Sequence, residues 1–390
     1  MGDRAVPRAP ETKRPREVGE TGPRPPASAP RATRGGPRAE RADAAFRDFS
    51  GTYYVEAAGR GFFTLDRGPR RLASFWTSAE LIELVEDRFE SSGDPAARRM
   101  IDALLRGFVL RYGRAWTRHN AFNDDVIWAV LAALRAYRIT GDPSHRELAR
   151  TNLDATYARA RSGDLGGGLW WTTDRREKNA CVNAPAAIAA GLLFESLRDP
   201  AYLAKSRRLY AWLREHLFEP DSGRVDDHAT RTGGAAADGD VGIVDRRAFT
   251  YNQGTFIGAA DVLHRITGDD AYRADALRAL AFTARELAPG GILLSEGESG
   301  DGGGFKGIFA RHAVGFARRN GIAAYDDWFE RNAQAAWDRR DERGLMGQDW
   351  AAPEDASRPP APDGSDARGP AAWDASSAVV LLQALAARRS

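Results

Sequence analysis

Thiols are nearly absent from this sequence: one cysteine, Cys181, stands among 390 residues. That excludes an internal disulfide framework and any zinc site built on several thiolates. Histidine is sparse and scattered, at His119, His145, His216, His228, His264 and His312, with no H-x-x-x-H pair. No metal and no cofactor is expected. A long apolar run is also missing from the N-terminal region, so no secretory signal is read there, and no stretch elsewhere is expected to span a membrane. Taken literally, the sequence predicts a soluble, cytoplasmic protein; an extracellular one is the alternative if the start is misassigned.

Net charge is small as well, +2, but it is unevenly spread. Residues 1–41 hold ten Lys/Arg and five Asp/Glu, and the remainder holds 46 and 49. A body so close to neutral offers no nucleic-acid-binding surface. The same first 41 residues contain eight of the 20 prolines and almost no large apolar side chain. Such a segment buries too little surface to offset its ordering entropy. Residues 1–39 are therefore expected to be a disordered Pro/Arg-rich tail, and 40–390 a folded domain.

What is present from residue 40 onward is helical periodicity. Apolar residues recur at three- and four-residue spacing in about twelve blocks, from 40–55 and 75–90 through to 370–388. Several blocks are joined in pairs by similar short links: Thr140-Gly141-Asp142-Pro143, Arg198-Asp199-Pro200 and Thr267-Gly268-Asp269-Asp270. Glycine in such a link stops one helix in the left-handed region, and Asp caps the next. The segments between pairs (56–74, 113–123, 162–179, 218–251, 288–305 and 341–369) are longer and rich in Gly and aromatics. Helical hairpins with short links at one end and long loops at the other predict an all-α solenoid or closed toroid, with function on the long-loop face.

Four stretches carry chemistry. Asn123-Asp124-Asp125, with Trp128 one turn on, opens a helix. The run would serve equally as a helix cap, with acids in the first turn suiting the helix dipole. Two carboxylates held close cannot both ionise freely, however, and that asymmetry is what a nucleophile and general acid require. Adjacent residues keep their carboxyl groups on the order of 5–6 Å apart, near the roughly 5–5.5 Å of retaining glycosidases. The second stretch combines Gly166-Gly167-Gly168-Leu169-Trp170-Trp171 with Lys178-Asn179 and Asn183. Aromatic faces beside amides suit sugars, which have C–H faces and hydroxyl edges. Third is Tyr251-Asn252-Gln253-Gly254, and fourth Asp301-Gly302-Gly303-Gly304-Phe305-Lys306-Gly307. The last matches G-x-G-x-x-G, but it has helices on both sides and no series of strands, so a dinucleotide site is not expected.

In their order and spacing, these stretches resemble the family 76 glycoside hydrolases, the endo-α-1,6-mannanases and related wall transglycosidases. Phe75-Trp76 with Ala79-Glu80-Leu81-Ile82-Glu83 looks like that family's second helix, and the resemblance runs from about residue 40 to 388. It implies an (α/α)₆ barrel, no metal, an α-mannan or manno-oligosaccharide substrate, and a retaining mechanism with Asp124 as nucleophile and Asp125 as acid/base. Asn123, Trp128, Trp170, Trp171, Asn179, Asn183, Tyr251, Asn252, Gln253 and Lys306 are the expected substrate-binding residues. The stretch 351–369, with Pro353, Pro359, Pro360, Pro362 and Pro370, departs from the family pattern and points to an altered cleft there. Two rival readings are an N-acylglucosamine 2-epimerase-like toroid, which would use His264 and His312 as acid and base, and a catalytically degenerate mannan-binding barrel.

Overall fold

A computed structural model describes residues 36–67, 71–231, 242–297, 300–351 and 369–387. The expected tail lies outside them, except that its last residues, 37–39, already belong to the first helix. Among the described residues there are twelve α-helices. They are α1 (Pro37–Tyr53), α2 (Phe75–Ser92), α3 (Pro95–Tyr112), α4 (Asn123–Thr140), α5 (Pro143–Ala160), α6 (Ala180–Leu197), α7 (Pro200–His216), α8 (Thr250–Thr267), α9 (Asp270–Glu286), α10 (Phe305–Arg319), α11 (Asp326–Asp338) and α12 (Ala372–Ala386).

The short links form as their residues dictate. Gly93, Gly141, Arg198 and Gly268 adopt left-handed φ of 59–75° and end α2, α4, α6 and α8. The next residue each time is Asp94, Asp142, Asp199 or Asp269, whose carboxylate accepts the N–H two residues on at 2.8–2.9 Å. Proline follows in the first three, where its missing N–H costs nothing.

The even-numbered helices form the inner ring. Each packs on the next, α2 on α4, α4 on α6, α6 on α8, α8 on α10, α10 on α12, and α12 back on α2. The ring is closed, and the fold is an (α/α)₆ barrel whose sixth hairpin joins the chain's first and last helices, α1 and α12. Close approach within the ring requires small residues: a Cβ on Gly254 of α8 would lie 2.5 Å from the Phe309 Cα of α10. Helix α6 is apolar and long enough to cross a bilayer by composition, contrary to the expectation that no stretch is. Its apolarity is accounted for by enclosure between α4, α7 and α8.

All six inner helices enter the ring from the long-loop end, so their N-termini converge there. Short strands brace the loops. β1 (Tyr54–Ala57) and β2 (Arg60–Phe63) pair as a hairpin, as do β4 (Phe218–Glu219) and β5 (Arg224–Val225). β6 (His228–Thr230) lies between β3 (Glu177–Asn179) and β7 (Ile243–Asp245). Deeper in the ring, Arg135 of α4 and Arg311 of α10 converge on Glu80, Glu83, Glu86 and Asp87 of α2.

Candidate active site

The start of α4 is fastened to the Trp loop before any carboxyl is considered. Asn123 N–H donates to the Trp171 carbonyl at 2.7 Å, and its amide nitrogen to the Trp170 carbonyl at 2.8 Å. Its amide oxygen accepts Arg159 Nε at 2.7 Å. The N-cap is Phe122, which offers no side-chain cap. Asp124 and Asp125 follow in the first turn with no capping duty at that position.

Asp125 Oδ2 accepts the Asn120 amide at 2.8 Å. Asp124 Oδ2 lies 3.6 Å from Cys181 Sγ of α6, and its Oδ1 is buried without a partner. The Trp171 indole faces this carboxyl. Burial, and then the charge of Asp125, push Asp124 up to about 7; burial pushes Asp125 up to about 6, with Asp301 adding like charge. Among the described residues no Lys, Arg or His is paired with either carboxyl. The pair therefore titrates as a unit and holds a proton near neutrality.

Other expected site residues take varied places. Tyr251 stacks on Phe305 at 3.9 Å and turns its hydroxyl to Cys181, beside Asp124. Asn252 donates to Asp227 Oδ1 at 2.9 Å, and Gln253 to the Val225 carbonyl at 3.0 Å; their amide oxygens are buried without partners. Asn179 also has a buried, unpartnered amide oxygen. Asn183 is committed to the backbone, to Leu169 N–H at 2.8 Å and to the Leu169 and Asn179 carbonyls. Trp128 and Trp170 are buried in the core, and Trp171 is half-buried against Phe122.

The two lysines are turned inward. Lys306 Nζ sits 4.4 Å from the Trp350 ring centre and donates to the Leu294 and Gln348 carbonyls. Lys178 Nζ sits 4.5 Å from that of Trp170 and donates to Ser162 Oγ and to the Ser162, Asp164 and Gly167 carbonyls. Each ammonium ties a Gly-rich loop to the barrel, and burial lowers both to about 8.

Three groups at this end were not among the expected residues. Cys181 lies between Asp124 and Tyr251. Asp227, held by Asn252 and by His228 Nδ1 at 2.8 Å, adds its charge to the same pocket. Its sequence signal was a second adjacent acid pair, Asp226-Asp227, in a long loop. Asp301, in the Gly-rich turn before α10, faces Trp76, which packs edge-on against Trp373 at 4.7 Å. Asp227, His228 and Asp245 are near enough to one another to hold an ion. Yet Arg247 already pairs with Asp245 at 2.9 Å, and both Asp227 oxygens have partners.

The pattern of "Glycosyl hydrolase family 76" matches residues 38–378. The chain belongs to that family. It is thus a glycoside hydrolase. An α-1,6-mannanase from Salegentibacter sp. HEL1_6 is 31% identical, with TM-score 0.78, covering 90% of this chain and 99% of its own. An inactive variant of that enzyme, with two aspartates replaced by asparagine, was solved with α-1,6-mannotriose. A Listeria innocua protein is 27% identical over 89% of this chain and 96% of its own, with TM-score 0.77. Dfg5 from Chaetomium thermophilum, solved with glucosamine, shares the fold at 17% identity and TM-score 0.72, covering 90% of this chain and 89% of its own. No curated protein sequence matches the chain.

Proposed function

We propose that this family 76 member cleaves α-1,6-mannosidic linkages in α-mannan by a retaining double displacement on Asp124 and Asp125. The observation that carries the reading is the half-buried, proton-sharing aspartate pair at the N-terminal end of the inner ring. Support for the substrate comes from the Salegentibacter relative, whose variant lacking two aspartates is inactive and binds α-1,6-mannotriose.

Position supports the division of roles. Asp124 is the more enclosed, facing α6 and α8 through Cys181 and Tyr251. Asp125 is nearer the loops, where Asn120 orients it and where a leaving group and then a water reach it. Asp124, ionised, attacks the anomeric carbon while Asp125 gives its proton to the leaving oxygen. The proton the pair shares therefore has to sit on Asp125, although the free pair favours Asp124, raised to about 7 against about 6. Esterification removes the charge of Asp124, so the pKa of Asp125 falls and it serves as base towards water. Asn120 aids that second role, because its amide hydrogen favours the ionised carboxyl.

An epimerase would need a histidine acid and base, but His312 packs half-buried against Gly258 and is held well below its ordinary pKa by burial, and His264 sits near the far end of α8. A binding-only barrel has no use for two carboxyls destabilised by burial. The test is to incubate the purified protein with unbranched α-1,6-mannan and with α-1,2-branched mannan while following the first product by NMR. Oligosaccharides released from the unbranched polymer as the α-anomer are expected. A β-anomer appearing first would remove retention; no release from either polymer would remove the substrate assignment.

A further inference from the structure

Three inner helices meet at one thiol. Cys181, in the first turn of α6, has its Sγ 3.6 Å from Asp124 Oδ2 of α4, within reach of a sulfur hydrogen bond. On its other side the Tyr251 hydroxyl of α8 faces the same sulfur on hydrogen-bonding terms. The proton order along this chain follows from the groups. Burial pushes the Tyr251 phenol well above its ordinary range, so it keeps its hydrogen and faces the sulfur as a neutral donor. Burial, and then the charges of Asp124 and Asp227, push the thiol up as well, so it is neutral and has one hydrogen to give. The remaining acceptor is Asp124. Its other oxygen, Oδ1, is buried and has no partner.

We propose that Cys181 is the positioning residue for the nucleophile: its thiol hydrogen holds Oδ2 of Asp124 and so fixes the orientation in which the carboxylate meets the anomeric carbon. The proposal rests on the reading of Asp124 as nucleophile. A thiol suits the task because it is a weak donor. It orients the carboxylate without lowering its energy as a hydroxyl would, and so leaves it reactive. The groups that face this unit are Asp125 and the helix-start N–H groups from α4, Trp171 from the loop before α6, Asp227 from the loop before β6, and Tyr251 from α8. Asp301 acts on Asp125 from the turn before α10. None of these is a cation; the thiol and the Trp171 indole act on Asp124 and not on Asp125.

The experiment compares Cys181→Ala and Cys181→Ser in the full chain, measuring kcat and KM on an α-1,6-manno-oligosaccharide across pH. Losing one hydrogen bond made to the reacting group predicts a fall of about tenfold in kcat for Cys181→Ala, with KM changed less than about twofold. Its acid limb in kcat/KM should move to higher pH. Cys181→Ser should recover most of kcat while moving that limb below the wild-type position, because a hydroxyl is the stronger donor. Wild-type kcat and an unmoved limb in both variants would overturn the proposal and reduce Cys181 to packing. Should Cys181→Ala fail to fold, the limb of Cys181→Ser decides alone, and an unmoved limb overturns it. Failure of the underlying reading looks different: an active Asp124→Asn or a β-anomer first product. An inactive Asp124→Asn, an α-anomer and indifferent Cys181 variants would remove this proposal only.

Discussion

Two groups of buried carboxyls occupy the same inner ring, and they are treated in opposite ways. Deep in the ring, Arg135 donates to Glu83 at 2.8 Å, Asp87 at 2.6 Å and Glu90 at 3.0 Å, and Arg311 to Glu80 at 2.7 Å and Asp87 at 3.0 Å. At the loop end, Asp124 and Asp125 receive an amide and a thiol, and neither is paired with a cation among the described residues. Both groups carry the cost of desolvation. The first offsets part of it with guanidinium forks, although burial still raises Glu80 and Glu86, and the second raises both its carboxyls with no cation to offset the cost. What separates the two groups is the paired cation, present deep in the ring and absent at the loop end among the described residues.

The largest effect expected from breaking this contrast is catalytic. Asp125→Asn should lower turnover of mannan by roughly 10²–10⁴-fold, the usual worth of a general acid. With an activated leaving group that needs no proton, its first step should recover and the glycosyl-enzyme should accumulate, visible as an added sugar mass on the intact protein. Equal loss on both substrates would show that Asp125 is not the acid.

Next comes the scaffold group. Arg135→Met leaves Glu86 buried without a guanidinium and Glu83 and Asp87 with Arg311 alone, a loss of about 3–5 kcal/mol in denaturant unfolding at pH 8. At pH 5 the loss should be smaller, because Glu80 is already raised to about 7 and Glu86 further by burial, and a protonated cluster needs less cation. The same loss at both pH values would show that the network does not take up protons.

A smaller effect, of opposite sign, is expected at the Asp124–Asp125 pair. The folded pKa of Asp124 lies above its unfolded value, so the folded state keeps a proton that the unfolded chain releases. Stability from this group is therefore present below about pH 4 and lost as pH rises through about 7. Asp124→Asn removes that loss, and should raise the melting temperature by about 2 °C or more at pH 8 and little at pH 4. A variant destabilised equally at both pH values would mean that the carboxyl's contacts outweigh its desolvation. The smallest effect belongs to residues 1–35. The family match begins at residue 38 and α1 at Pro37, so their deletion should leave melting temperature and activity unchanged. A marked fall in either would show that the segment contributes to the barrel.

How much of this was legible in advance differs by residue. The hairpin links were readable because Gly-Asp-Pro acts within four residues, through one left-handed φ and one side-chain cap. Asp124 and Asp125 were readable for the same reason: their closeness is covalent. Trp128, Asn183 and Lys306 were named from motif context, and the structure places them against the core, the Leu169 backbone and the Leu294 and Gln348 carbonyls. A motif reports that a residue sits near the site, and its side-chain direction depends on partners far along the chain. Residues 352–368, where an altered cleft was expected, lie outside the described residues.

By itself the sequence determined the helical hairpins, their links, the end that bears the long loops, and the presence of an aspartate pair there. These depend on local φ/ψ preferences, caps and 3.6-residue periodicity, all short-range properties. Tertiary structure alone decided that α12 closes on α2, and that Cys181 of α6 falls between Asp124 of α4 and Tyr251 of α8. It also decided that Arg135 and Arg311 pair with one acid cluster and not with the other. Each of these joins residues tens or hundreds of positions apart, and only packing of the ring brings them within the few ångströms over which hydrogen bonds and buried charges act.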